Sequence, residues 1–282
     1  MNILVTGGLG FIGSHVVVEL LQNNYKVIII DNLSNSKKSV LSKIELISNK
    51  KVIFYQKNLK DDISQIFNDQ IIHAVIHLAG LKSVRESVNN PLLYYSENIY
   101  STINLIKTME QYKCYNLIFS SSATVYGNQK SPLREDMTIG NGITNPYGKT
   151  KHMIEEILHD YSKSNINFKA ISLRYFNPIG SHPTGLIGED PNGLPNNLMP
   201  YILNVAYKNN IDFTLKEYDC LSIFGNNYNT KDGTAIRDYI HVVDLARAHL
   251  LALKNIEKIN KYRYYNIGSG KGVSVLDIIN TF

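Results

Sequence analysis

The fold is decided by residues 2–15, which read NILVTGGLGFIGSH. An apolar run suited to a buried strand, Ile3 to Thr6, leads into three glycines, and an apolar helical pattern begins at Phe11. In such a turn, backbone N–H groups at the start of the helix bind a diphosphate. The glycines permit a sharp turn (Gly7), a close phosphate approach (Gly10) and tight packing of helix on strand (Gly13). The stretch therefore predicts a dinucleotide-binding loop.

The next predicted strand ends at an acidic residue, Asp31, eighteen residues after Gly13. A carboxylate at this spacing accepts hydrogen bonds from the adenosine ribose hydroxyls and repels a 2′-phosphate. NAD is therefore favoured over NADP, although Lys37 and Lys38 follow closely. The glycine spacing is GxxGxxG rather than GxGxxG, which indicates the short-chain dehydrogenase/reductase branch of this fold.

Residues 1–176 alternate β-branched runs with longer helical patterns, which predicts a doubly wound parallel sheet (Rossmann) of α/β class. Strands are predicted at Ile3–Thr6, Lys26–Ile30, Val52–Tyr55, Ala74–His77, Leu117–Ser120 and Lys169–Leu173, with helices beginning near Phe11, Ser39, Asp61, Pro91 and Pro146. Residues 177–282 are richer in Gly, Pro and Asn turns and predict a smaller mixed α/β substrate domain that partly returns to the sheet.

Composition excludes several classes of protein. Of 282 residues, 44% are hydrophobic and 19% charged, which excludes a disordered tail, a collagen-like fibre and a coiled coil. The net charge of +5 is dispersed, so no nucleic-acid partner is implied. Cys114 and Cys220 have neither disulfide-framework nor metal-site spacing and indicate a reducing compartment. No leader or apolar run of ~20 residues is present, so we expect no membrane association and a cytoplasmic location.

Candidate catalytic residues follow the fifth predicted strand. Ser122 and Thr124 lie at its carboxyl end, where ligands of open α/β sheets bind. Tyr147 and Lys151 are one helical turn apart on one face of the next helix. An ammonium and a positive nicotinamide ring both stabilise a phenolate, so Tyr147 would act as a base while the hydroxyls hold a substrate oxygen.

Segments along nearly the whole chain resemble the UDP-glucose 4-epimerases (UDP-galactose 4-epimerases), a family of extended short-chain dehydrogenases/reductases. They are residues 6–15, 31–39 (DNLSNSKKS), 77–82 (HLAGLK), 120–127, 146–151, 174–178 (RYFNP), 195–200 (PNNLMP), 221–224 (LSIF) and 237–241 (RDYIH). The resemblance implies interconversion of UDP-galactose and UDP-glucose in galactose metabolism, with tightly bound NAD and no metal.

The resemblance also implies which residues hold NAD. They are Gly7, Gly10, Phe11, Ile12, Gly13, Asp31, Asn32, Leu33, Ser34, Asn35, Ser36, Asn58, Leu59, Leu78, Ala79, Gly80, Leu81, Lys82, Asn98, Ser122, Tyr147, Lys151, Tyr175 and Phe176. Tyr175 and Phe176 would flank the nicotinamide, and Lys151 would hold its ribose. Two positions depart from the family: Asn58 replaces a usual Asp, and Glu97 replaces a usual Asn.

For the nucleotide sugar, the resemblance implies Lys82, Ser122, Tyr147, Asn177, Asn197, Leu198, Ser222, Ile223, Phe224 and Arg237, with residues 221–224 in a strand. Arg237 would make charge-assisted hydrogen bonds to the diphosphate. In the implied mechanism Tyr147 takes the 4-hydroxyl proton as hydride leaves C4, and the flat 4-keto sugar turns over before the hydride returns. Binding is therefore expected to concentrate on the uridine and diphosphate.

The second half of the chain departs further from the family pattern. Residues 208–219 form a longer connection than is usual, and family chains continue for several dozen residues past Phe282, including an Arg and an Asp for the uridine. Ser274 and Asp277 predict a helix start about two turns before Phe282. The substrate domain is therefore expected to be incomplete at its C-terminal end.

Several alternatives stay open at this point. A nucleotide-sugar 4,6-dehydratase or a UDP-glucuronate decarboxylase needs a carboxylic acid where residues 122–124 read Ser-Ala-Thr. A UDP-N-acetylhexosamine 4-epimerase shares the motifs. A regulator that only binds NAD would lose Tyr147 or Lys151, and both are present. A non-catalytic NAD-binding fragment would differ only in activity.

Two helices carry more apolar surface than one sheet contact requires. On the helix from Pro91 to about Tyr112 these residues are Leu92, Tyr95, Ile99, Tyr100, Ile103, Ile106 and Met109; on the next they are Met153, Ile157 and Tyr161. We expect both helices to pair with their symmetry mates in a four-helix homodimer interface, as the resemblance also implies; a deeply buried helix pair is the alternative.

Overall fold

A seven-stranded parallel sheet organises the chain. The computed structural model describes residues 1–192, 197–207 and 220–282. The strands are β1 (Asn2–Thr6), β2 (Lys26–Asp31), β3 (Ile53–Gln56), β4 (Ala74–His77), β5 (Asn116–Ser122), β6 (Lys169–Tyr175), β7 (Asn177–Ile179), β8 (Ile236–His241), β9 (Tyr262–Ile267) and β10 (Gly272–Ser274). The large sheet has the order β3-β2-β1-β4-β5-β6-β9, and β10-β8-β7 form a small mixed sheet. The predicted doubly wound fold is confirmed, and β9 is the returning strand.

Helices cover both faces of the large sheet. They are α1 (Phe11–Gln22), α2 (Ser39–Ser48), α3 (Ser64–Asp69), α4 (Val84–Asn89), α5 (Pro91–Tyr94), α6 (Ser101–Gln111), α7 (Pro146–Ser164), α8 (Leu198–Tyr207), α9 (Val242–Asn255) and α10 (Val275–Thr281). Alternate residues of β1 point into two hydrophobic cores, one on each face of the sheet. Ile3 and Val5 pack with α1 and α9, and Leu4 packs with α6 and α7. Within the described ranges, no helix is long and apolar enough to cross a membrane.

Several helix starts follow from local capping. The predicted starts at Phe11, Ser39 and Pro146 are confirmed, and Asn145 caps α7 by accepting a 2.8 Å hydrogen bond from the Gly148 N–H. Near the C-terminus the predicted cap is confirmed too, since the Asp277 N–H donates to Ser274 Oγ at 3.0 Å.

The structure differs from the sequence predictions in four places. Helix α3 begins at Ser64 rather than near Asp61, because Asp62 Oδ1 accepts from the Ser64 N–H and turns the chain first. Helix α4, capped by Ser83, was not predicted. The helix expected from Pro91 is interrupted by a π-helical turn, Tyr95–Tyr100, before α6 begins. The expected strand at 221–224 has irregular backbone. The longer connection at 208–219 and part of the 195–200 motif lie outside the described residues.

Two glycines of the first loop are required by its backbone. Gly7 adopts φ +68°, and a Cβ there would lie 2.9 Å from the Ala79 nitrogen. A Cβ on Gly13 would overlap the carbonyl oxygen of Gly7. A Cβ on Gly10 would meet only that oxygen, at the ordinary distance of 3.4 Å. Gly13 therefore sets how closely α1 packs on the loop, whereas Gly10 leaves space.

Gly13→Ala should destabilise the fold by about 1–3 kcal/mol, because a backbone oxygen cannot move aside as a flexible side chain would. Gly10→Ala, the matched control in the same loop, should stay within about 1 kcal/mol of the parent. Chemical denaturation of both variants measures this difference. Equal stabilities would contradict the packing role of Gly13.

Candidate active site

One large cleft, of about 1530 Å³, lies at the carboxyl ends of the parallel strands. Most of the predicted site residues line it. They are Gly7, Gly10, Phe11, Ile12, Gly13, Asp31, Asn32, Ser34, Asn35, Ser36, Asn58, Leu59, Leu78, Ala79, Gly80, Leu81, Lys82, Ser122, Thr124, Tyr147, Lys151, Tyr175, Phe176, Asn177, Asn197 and Arg237. The structure thus brings residues from both halves of the chain to one cavity.

At one end of the cleft, helix α1 begins without a side-chain cap. The N–H groups of its first turn have no acceptor within the helix, and the positive end of the helix dipole points the same way. Asp31 lies beside this loop, and its carboxylate accepts hydrogen bonds from Leu9 N–H (3.1 Å), Leu33 N–H (2.9 Å) and Ser36 Oγ (2.8 Å). A carboxylate has about four acceptor positions, so one remains for a ligand hydroxyl.

Two residues predicted to contact the cofactor, Leu33 and Asn98, lie behind the cleft wall rather than among its lining residues. Asn98 is buried and pairs with both backbone groups of Leu81, accepting from its N–H at 2.8 Å and donating to its C=O at 3.0 Å. Its amide also donates to Thr150 on α7. Asn98 therefore positions the wall of the cleft between β4 and α7.

The two positions that depart from the family are both engaged within the protein. Asn58 Oδ1 accepts a 2.9 Å hydrogen bond from the Lys60 N–H, and the Lys60 ammonium pairs with Glu97. Both Asn58 and Glu97 line the cleft. An amide oxygen has a second lone pair, so Asn58 keeps one acceptor position for a ligand.

The predicted Tyr147 and Lys151 lie together at the other end of the cleft, on α7. The Lys151 ammonium is buried, donates to the Ser120 carbonyl at 2.7 Å and lies 5.8 Å from the centre of the Tyr147 ring. Burial lowers the pKa of Lys151 to about 8, and the negative charge of Glu155 opposes this change. Burial also raises the pKa of Tyr147, while a hydrogen bond with Ser122 lowers it. The phenol is therefore protonated near neutral pH.

The Thr124 hydroxyl differs from its polar neighbours in the cleft in having an unused hydrogen-bonding group. Its Oγ1 is buried yet has no hydrogen-bond partner within the described parts of the chain, while its N–H donates to Ser122 Oγ at 3.2 Å. Burying a hydroxyl without a partner costs free energy. Thr124 lines the cleft beside Tyr147, so this hydroxyl is available to an oxygen of a bound molecule.

The remaining predicted substrate residues divide into two groups. Asn177, Asn197 and Arg237 line the main cleft, and within the described ranges Arg237 forms no ion pair. The structure does not bring Leu198, Ser222, Ile223 and Phe224 there; they line a separate cavity of about 160 Å³ against Val275 and Ile279. The irregular backbone at 221–224 lies beside α10 and does not line the main cleft. The Phe224 side chain is 90% exposed.

The sequence and fold of this chain are similar to those of known proteins. Residues 3–268 match the model of the NAD dependent epimerase/dehydratase family. The chain belongs to this family. The UDP-glucose 4-epimerase of Bacillus subtilis (strain 168) is 49% identical over 285 positions, which cover 100% of this chain and 81% of that protein.

Solved structures of the family share the fold closely. UDP-glucose 4-epimerase from Bifidobacterium longum, crystallised in complex with NAD+ and UDP, has a TM-score of 0.92 and 44% identity and matches 99% of this chain and 82% of its own. The enzyme from Stenotrophomonas maltophila, with bound NAD and formylated UDP-arabinopyranose, has a TM-score of 0.92 and 43% identity over 99% and 81% of the two chains.

In this chain, one segment that lines the cleft was not predicted from sequence. Residues 186–192 cross the opening and bond to its opposite walls: Glu189 pairs with Lys82 at 3.0 Å, and Asp190 pairs with Lys37 at 2.5 Å. The Asn192 N–H donates to Asn35 at 3.0 Å. These partners are 107 to 157 residues apart in sequence, so no local pattern could have revealed them. Among the described residues, no cluster of side chains could hold a metal ion.

Replacing the buried ammonium tests its energetic cost. The pKa of Lys151 is about 8 in the fold and about 10.4 in an unfolded chain, so between these values the unfolded chain binds more protons and stability rises with pH. Lys151→Met should raise the free energy of unfolding at pH 7 by about 1–3 kcal/mol, and this gain should shrink as the pH approaches 10.

The matched control is Lys149→Met, which removes an exposed ammonium from the same helix. It should change stability little at either pH. Denaturant titrations at the two pH values provide the measurement, and a Lys151→Met protein that is less stable than the parent at pH 7 would refute the assigned burial cost.

Proposed function

We propose that this chain interconverts UDP-galactose and UDP-glucose, using NAD held in the large cleft. The observation that carries the proposal is the grouping of a buried Tyr147 and Lys151 with the unpartnered Thr124 hydroxyl, at the end of a cleft that begins at a glycine loop. The 49% identity to a UDP-glucose 4-epimerase over the whole chain supports the same substrates. Residues 1–176 would form the NAD-binding domain and 177–282 the nucleotide-sugar-binding domain.

The residues present fit NAD. The uncapped start of α1 suits the diphosphate, and Asp31 keeps one acceptor position for a ribose hydroxyl while opposing a 2′-phosphate. Burial raises the pKa of the Tyr147 phenol, and a cation bound beside it would lower that pKa again. When bound, NAD supplies a positive ring and a hydride acceptor for sugar C4. The remaining cofactor residues proposed from the resemblance line the same cleft or, like Leu33 and Asn98, support its wall.

Residues of this chain would move the proton and hold the oxygen at sugar C4. Lys151 stabilises the Tyr147 phenolate, aided by the positive charge that the cofactor would supply, and the phenolate removes the proton of the 4-hydroxyl. Thr124 Oγ1 and Ser122 Oγ hold that oxygen while C4 is flat. After the sugar has presented its other face, Tyr147 returns the proton. Arg237 and Asn177 would bind the nucleotide end, which leaves the hexose free to turn.

A 4,6-dehydratase or decarboxylase is not favoured. Each requires a carboxylic acid beside the tyrosine, and the 3₁₀ turn at Ala123–Tyr126 presents Thr124 there instead. The proposed setting is the cytoplasm. Two free cysteines support this setting: Cys114 is buried, Cys220 is exposed, and neither is in a disulfide.

The proposed assembly is a homodimer built on two segments, the run from α5 through the π-helical turn to α6 and helix α7. Ile106 and Met109 of the predicted stripe are buried in the core, as the buried-helix alternative expects. Other apolar side chains nearby stay exposed, among them Leu92 (81%), Tyr100 (54%) and Met153 (41%). An exposed apolar patch of this kind supports a protein interface.

Tyr147→Phe should reduce conversion of UDP-galactose to UDP-glucose by at least about a hundredfold, because a phenyl ring can neither take nor return the 4-hydroxyl proton. The measurement is a coupled assay for UDP-glucose on purified protein that retains its cofactor. Tyr161→Phe, at a half-buried position about four helical turns beyond Tyr147 on α7, serves as the matched control. Unchanged turnover in Tyr147→Phe would contradict the proposal.

Leu92→Asp should convert the dimer into a monomer, because a carboxylate would be buried in the interface without a partner. Light scattering gives the molar mass. Leu46→Asp, a 70% exposed leucine on α2, should leave the dimer intact. A parent protein that is monomeric by light scattering would contradict the proposed homodimer.

A further inference from the structure

We propose that Glu155 is a positioning residue for the reaction: its buried carboxylate, one turn beyond Lys151 on α7, keeps the catalytic ammonium charged. The inference rests on the proposed function only in giving Lys151 a role in catalysis. Glu155 was absent from the residues predicted from sequence. It lies behind Lys151 rather than in the cleft, so it contacts neither cofactor nor sugar.

The carboxylate of Glu155 is held in one orientation. Its residue is 2% exposed, and it accepts hydrogen bonds from Ser121 Oγ (2.5 Å), Arg174 Nε (3.0 Å) and Arg174 Nη2 (2.7 Å). Arg174 is 1% exposed, donates to the Tyr126 hydroxyl and stacks 4.0 Å from the centre of the Tyr264 ring. The guanidinium gives this carboxylate a charge-assisted partner in a buried ion pair. These three donors fix the orientation of the Glu155 carboxylate behind Lys151.

No other carboxylate acts on Lys151 within the described residues. On α7 its neighbours are Tyr147 and Glu155. Strand β5 presents the Ser120 carbonyl and, 4.8 Å away, the Phe119 ring. Strand β4 presents His77, whose pKa burial lowers to about 3, so this imidazole is neutral. On β6, Arg174 is paired with Glu155, and burial keeps the Tyr175 phenol protonated.

Protonation of Lys151 near neutral pH therefore depends on Glu155. Burial alone favours the neutral amine. The one carboxylate that attracts the ammonium offsets part of this cost, and the balance leaves the pKa at about 8. Without that charge the amine would lose its proton at lower pH and would no longer stabilise the Tyr147 phenolate. Activity would then fall at a pH where the parent enzyme still works.

The test compares variants that remove the charge with variants that keep it. Glu155→Gln alone strands a buried guanidinium and could prevent folding, so Glu155→Gln/Arg174→Met is made as well, since buried ion pairs often tolerate apolar replacement. Glu155→Asp keeps the charge. Glu156→Gln makes the same substitution at the adjacent exposed position.

Two readouts are taken on cofactor-loaded protein. Heteronuclear NMR of isotope-labelled lysine follows the Lys151 side chain, assigned by its absence in Lys151→Met, and the pH dependence of kcat gives the alkaline limb of activity. In Glu155→Gln both midpoints should fall by about one pH unit, and in the double variant, which also removes the positive charge of Arg174, they should fall by less. Glu155→Asp and Glu156→Gln should keep the parent midpoints.

An unmoved NMR midpoint in the folded double variant would overturn the inference, even if activity were lost, because a purely structural role predicts that result. The NMR titration needs no turnover. A shifted midpoint in a protein that does not convert UDP-galactose would uphold the role of Glu155 and contradict the proposed function instead.

Discussion

The burial of one ammonium group, Lys151 against the Ser120 carbonyl, links the fold to the chemistry. It requires α7 to pack directly on the end of β5, and this packing brings Tyr147 to Ser122 and Thr124. Burial is unfavourable for a charge, and the surrounding groups offset it with a carbonyl, an aromatic face and a carboxylate. A group that is costly to bury and is bonded on several sides has the character of a functional site.

The two ends of the cleft differ in how firmly their groups are held. At the cofactor end, Asp31 accepts three internal hydrogen bonds, and residues 186–192 bond to both walls of the cleft. At the catalytic end, Thr124 Oγ1 has no partner among the described residues. The firmly held end suits a cofactor that stays bound, and the sparse contacts at the reacting end leave a sugar free to turn. The same arrangement would be a poor choice for a reaction that requires the sugar to stay in one orientation.

Features encoded by neighbouring residues were predictable from sequence, and features that join distant residues were not. The glycine loop, the Tyr147 and Lys151 spacing, the Asn145–Pro146 helix start and the Ser274 cap depend on residues within a turn or two of one another. The π-helical turn at Tyr95–Tyr100 interrupts an otherwise regular apolar pattern, and nothing in that pattern marks it. Pairing of Glu155 with Arg174, and of Lys82 with Glu189, is decided only when helices and loops meet across the sheet. The strand that the family resemblance implied at 221–224 is absent, and this segment instead lines a small cavity with Val275 and Ile279 of α10.

The most direct test of the central claim, that the C4 hydrogen leaves as a hydride and returns to the same carbon without reaching solvent, uses UDP-galactose deuterated at C4. The purified protein should convert it in ordinary water to UDP-glucose that keeps the deuterium at C4, because only the hydroxyl proton passes through Tyr147. Loss of the label to solvent would contradict this account, since it would show that the hydrogen leaves C4 as a proton rather than as a hydride.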